Sequence, residues 1–121
     1  MPALNDHLRQ AEHNRDFANS LDASKYSDWI AIALFYSALH YLDAFLATKG
    51  HHPGGHPVRD GFVAMVVELK PIYNEYRTLK NSAHTARYFC LPAFSPGHLK
   101  QLRDVHLAQI RDHLRAYIPI P

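Results

Sequence analysis

Cysteine is nearly missing from this chain: Cys90 is the only one in 121 residues. A single thiol excludes an internal disulfide and any CxxC metal or redox motif, and it suits a reducing compartment. Charge of one sign is missing too. Thirteen basic against eleven acidic side chains leave a net charge of +2, too balanced to announce nucleic acid or a membrane surface by itself. The opening MPALNDHLRQAEHNRD is polar and has no apolar core of the secretory type, so a cytoplasmic protein is expected. There is no alternating strand pattern, internal repeat, low-complexity tract or long linker. No Gly-rich phosphate loop, paired-carboxylate site or Ser-His-Asp arrangement stands out, so kinase and ordinary hydrolase chemistry has no support, and no cofactor is expected.

What remains is enough for one domain spanning 1–121, with a core that needs no staple. The outlying number is ten histidines, which make the net charge climb below about pH 6.5.

Leu4, Leu8, Ala11, Ala18 and Leu21 recur at helical spacing and predict a first helix over 3–22. Ser27 and Asp28 open a second, with the serine as an N-terminal cap, and Gly50 closes it. Between them, Trp29 to Leu46 is apolar almost all round. His40 and Asp43 interrupt it and no basic flanks accompany it, so a central bundle helix is expected in place of a membrane span. HHPGGHP, from His51 to Pro57, is a tight connection. A third helix starts near Pro57 with Val58, Phe62, Met65 and Leu69 as its inner stripe, and Pro71 breaks or kinks it. A fourth runs from Ile72 to Tyr88, with Ile72, Tyr76, Leu79, Ala83 and Ala86 inward and Pro92 shortly after it. Ser95-Pro96 opens a last helix to about Tyr117, stopped by the prolines at 119 and 121. The fold class is all-α, an antiparallel four- to five-helix bundle.

Three stretches, FYSALHYLDAFLATKG (Phe35 to Gly50), the Pro and His of HHPGGHP, and YRTLKNSAHTARY, together resemble the HEPN domain family in order and spacing over roughly Ala11 to Tyr88. Two positions depart from that family: Arg87 stands where its fourth-helix ending usually has Asp, and Ala83 where its Arg would fall. The family includes metal-independent ribonucleases, toxins of toxin–antitoxin pairs, partners of minimal nucleotidyltransferases and members without known catalysis. Its ribonucleases carry Arg, four to six residues, then His on the fourth helix; Arg77 and His84 match with six between. The resemblance implies a homodimer that brings two such motifs together.

Residues seven apart on a helix lie within about 20° of each other, so Arg77 and His84 share a face, well round from the apolar stripe. Metal-free RNA cleavage needs a 2′-hydroxyl activated, phosphate charge stabilised and a leaving oxygen protonated. An Arg fork holds phosphate oxygens, and a histidine exchanges protons near neutrality. Tyr73, Lys80, Arg87 and Tyr88 interleave basic and aromatic groups around that pair, a surface suited to phosphate contact and base stacking. The alternative is a non-catalytic module whose same face holds a nucleotide or a partner protein, such as a nucleotidyltransferase antitoxin.

The remaining histidines divide. His40 and Asp43, at i and i+3, read as a structural polar pair tying the central helix to neighbours such as the first. His51, His52 and His56 are weak metal candidates on a flexible loop without an acid or thiol. His106 and His113 fall within the inner stripe of the last helix defined by Leu99, Ile110 and Tyr117.

Overall fold

The computed structural model describes residues 2–90 and 94–121, and every regular element among them is helical. Five helices form: α1 (Leu4–Ser20), α2 (Ser27–Thr48), α3 (His56–Met65), α4 (Tyr73–Tyr88) and α5, a rod running from Pro96 to Leu114. A 3₁₀ turn, Val67–Ile72, joins α3 to α4. The expected stop at Pro92 lies outside the described residues.

α2 is the axis of the bundle. α1 and α4 each lie along it, and α5 packs on α2 and α4. Its length and apolarity would let it cross a membrane, but most of its most apolar window is buried in this fold. Phe35, Tyr41 and Phe45 are wholly buried within it, as is Tyr76 of α4. Each such side chain contributes about 1.5–3 kcal/mol by leaving water. The one serine in the apolar stretch is satisfied, since Ser37 donates to the Ala11 carbonyl at 2.8 Å.

The ends of α2 explain its length. Gly50 adopts φ +76°, and the amides of Gly50 and His51 return to the carbonyls of Ala47 and Leu46 at 3.1 and 2.9 Å. That is a Schellman ending, in which the left-handed residue closes the last free carbonyls. At the other end Tyr26 is the cap residue, and the expected Ser27 side-chain cap does not form. Ser95 does cap α5 as its sequence suggests, accepting the His98 amide at 3.1 Å.

Two inner stripes differ from expectation. In α3 the buried positions are Arg59 and Val63, while Val58 and Met65 are 52 % and 81 % exposed. The helix is turned by one residue, about 100°, from its most apolar orientation, because Arg59 is drawn onto Asp43. α3 also ends at Met65, before Pro71, which sits inside the 3₁₀ turn; Leu69 is buried from that turn and not from α3.

In α5 the segment Leu102–Leu107 is a π-helix between α-helical Pro96–Gln101 and Ala108–Leu114. The wider turn absorbs one extra residue. Leu99, Leu102, Leu107, Ile110 and Leu114 therefore face inward. His106 and His113, placed in the stripe by a uniform 3.6 period, sit half-buried at its edge, and His113 meets the Glu68 carbonyl. The helix ends at Leu114, so Tyr117 lies beyond it, 46 % exposed, with its ring edge-on to Phe45. α4 buries Tyr76, Leu79, Ala83 and Ala86 as its spacing predicts, and Ile72 is buried at the end of the 3₁₀ turn that leads into it.

Candidate functional site

With that stripe inward, α4 turns Arg77, His84 and Tyr88 to solvent, and Tyr73 stands half-exposed beside them. Arg77 donates to the Tyr73 hydroxyl at 2.8 Å and its guanidinium lies 5.7 Å from that ring. Two turns on, the His84 ring leans on Tyr88 with centroids 4.7 Å apart. The result is a ridge of alternating aromatic and polar groups. Among the described residues no carboxylate pairs with Arg77, so its fork stays available to an anion.

Lys80 and Arg87, on the edge of the same helix, turn aside. Lys80 bonds Asp60 of α3, which also accepts from Tyr76 at 2.9 Å. Burial pushes the Asp60 carboxyl up, but the Lys80 and Tyr76 hydrogen bonds outweigh it and leave it below its ordinary range. Arg87 donates to Tyr36 of α2 at 2.8 Å and lies between the rings of Tyr36 and Tyr88; its Nε is buried without a partner among the described residues.

A second polar group sits where α1, α2 and α3 meet. Arg59 grips Asp43 with two bonds, Nε to Oδ1 at 2.7 Å and Nη2 to Oδ2 at 2.9 Å, both side chains under 10 % exposed. His40 and Asp43 do share this site, but their hydrogen bonds go elsewhere: His40 Nδ1 meets His7 Nδ1 of α1 at 3.1 Å. One of those nitrogens carries the shared proton. Burial lowers both imidazoles from their ordinary value and outweighs the opposing charge of Asp43; His7 adds to the lowering at His40, and Arg59 adds to it at both. His56, at the start of α3, accepts from Arg59 at 3.4 Å through Nδ1. Burial lowers it as well, followed by the positive charges of Arg59, Arg87 and Lys80.

The loop histidines do not converge: His51 stacks on Phe62, His52 is exposed, and His56 faces Phe35 and Tyr36. Among the described residues, the one cluster with metal-ligand spacing is His7, His40 and Asp43. Sequence reasoning missed His7 and Arg59. His7 had a signal, since it lies four residues before Ala11 on the inner stripe of α1. Arg59 had none, because an arginine beside apolar Val58 reads as outward.

A third polar knot links α1 to α5. Tyr41 donates to Glu12 at 2.6 Å and accepts from Arg111 Nε at 3.1 Å. Burial, then the Glu12 bond, pushes the Tyr41 hydroxyl up to about 12, so it stays protonated.

No protein-family model, curated protein or solved structure matches the chain. Functional reasoning therefore rests on these groups and their chemistry.

Proposed function

We propose that the chain is a HEPN-type domain that acts on RNA as a homodimer, with the α4 ridge as its working surface. What carries this reading is the exposure of Arg77 and His84 together on one face, flanked by Tyr73 and Tyr88, with no acid pairing with the arginine among the described residues.

Arg77 holds the non-bridging oxygens of a phosphate, and the tyrosines offer rings to unpaired bases. His84 exchanges the proton. The ribose 2′-oxygen attacks the adjacent phosphorus, the bond to the 5′-oxygen breaks, and the leaving oxygen takes up a proton; the products are a 2′,3′-cyclic phosphate and a 5′-hydroxyl. A single imidazole serves as base or acid but not both in one step, so the second copy's ridge supplies the complement.

The test uses labelled single-stranded RNA in EDTA. Wild type cleaves it, and His84→Ala and Arg77→Ala lose at least about a hundredfold in rate, the low end for a proton-transfer group. A wild type that leaves RNA intact at every dose overturns the enzyme. Salt-sensitive RNA binding lost in Arg77→Ala would then favour the non-catalytic module. A strictly monomeric protein in light scattering rejects the paired site.

A further inference from the structure

The cluster on α1 and α2 has a geometry that the RNA reading does not use. His7 and His40 bring their Nδ1 atoms to 3.1 Å, and one ligand atom from each of His7, His40 and Asp43 lies within 4.8 Å of the other two. Two imidazole nitrogens bound to one Zn²⁺ at about 2.05 Å stand about 3.4 Å apart at a tetrahedral angle and about 2.9 Å apart at a right angle. The observed separation falls between these. A cation can take the place of the shared proton with the two imidazoles near their present separation, and the Asp43 oxygen, within 4.8 Å of them, moves in to complete the set.

The donors are prepared for it. Both imidazoles are held in the neutral form that binds metal, since burial disfavours their protonation. The two bonds from Arg59 use one lone pair on each Asp43 oxygen and leave the others free. Arg59 then stands where an outer partner orients a carboxylate ligand. Two packed helices supply all three groups, so no loop must order first. His7 and His40 are only half-buried, which leaves one face open to water.

We propose that His7, His40 and Asp43 form a binding site for a borderline transition-metal cation, Zn²⁺ or, on the same donors, Co²⁺ or Ni²⁺. Two nitrogens and one oxygen select these ions over Mg²⁺ and Ca²⁺, which take oxygen donors. Three protein ligands leave a fourth position for water. The Arg59 charge opposes the cation and keeps the affinity below that of a site with a free carboxylate.

The full-length chain is stripped of metal and titrated with Co²⁺, followed by its visible absorption, and with Zn²⁺, followed by calorimetry. One ion per chain is expected, bound at least about tenfold more weakly in His7→Gln and in His40→Gln and equally well in His51→Gln. Zn²⁺ raises the melting temperature of wild type but not of the two cluster variants. Circular dichroism establishes that each variant folds. Should His40→Gln fail to, His7→Gln, on the peripheral α1, decides. Unchanged binding in His7→Gln overturns the site, as does the absence of saturable binding to wild type. Loss confined to His51→Gln places the ion on the loop and overturns it equally.

Discussion

Replacing Arg59 by Met is the sharpest probe of how this bundle is held together. The substitution keeps most of the buried stem and removes the charge that Asp43 faces. Arg59 and Asp43 are 8 % and 6 % exposed, so water screens the pair little. Two charge-assisted hydrogen bonds at about 1.5–3 kcal/mol each give a loss of about 3–6 kcal/mol. Measured losses on breaking buried pairs, about 3–5 kcal/mol, agree. Against a total stability of about 5–15 kcal/mol this is severe, and for a chain of this size it lowers the melting temperature by about 10–20 °C. α3 should suffer first, because apart from Arg59 it fully buries only Val63. Urea unfolding in EDTA, followed by circular dichroism, measures the loss, and hydrogen exchange shows whether the α3 amides open first. The double variant Arg59→Met/Asp43→Leu should return to within about 1 kcal/mol of wild type or exceed it, because no charge is then left buried. A loss below about 1 kcal/mol in Arg59→Met refutes the buried pair.

Two further outcomes follow from the same structure. His7, His40 and His56 all have folded values lowered by burial, so the unfolded chain binds protons first; stability is fully present above about pH 6.5 and is lost as pH falls toward their folded values. The urea midpoint should drop between about pH 7.5 and 5.5, with a shallower drop in His40→Gln; a flat profile in wild type removes these groups as the cause. In α5, Leu107→Ala should cost about 2–5 kcal/mol and His106→Ala less than about 1 kcal/mol, since the π turn puts the leucine in the core. Equal costs in thermal melts would mean the helix keeps an ordinary period.

Much of the fold was legible. α1, α2 and α4 carry strong periodicity or unbroken apolarity, and their caps and glycine stop lie within a few residues of the observed ends. The ridge of Arg77 and His84 was legible too, because exposure on a helix follows from spacing once the buried stripe is known. α3 was misread since a short helix of mixed character has its rotation set by one ion pair. In α5 the error came from assuming a single period through six residues that widen into a π turn.

The sequence by itself determined that the chain is helical, that its second helix is the axis, and which face of α4 meets solvent. Those are properties of local pattern, fixed by 3.6-residue periodicity and by where apolar side chains run out. Only the tertiary structure decided which polar groups meet. Asp43 bonds Arg59 sixteen residues on, His40 meets His7 from thirty-three residues earlier, and Tyr41 gathers Glu12 and Arg111 from opposite ends of the chain. Each pairing depends on how far one helix is rotated and slid against another. That is settled by packing the whole core and satisfying its buried charges together, a condition no single stretch of sequence states.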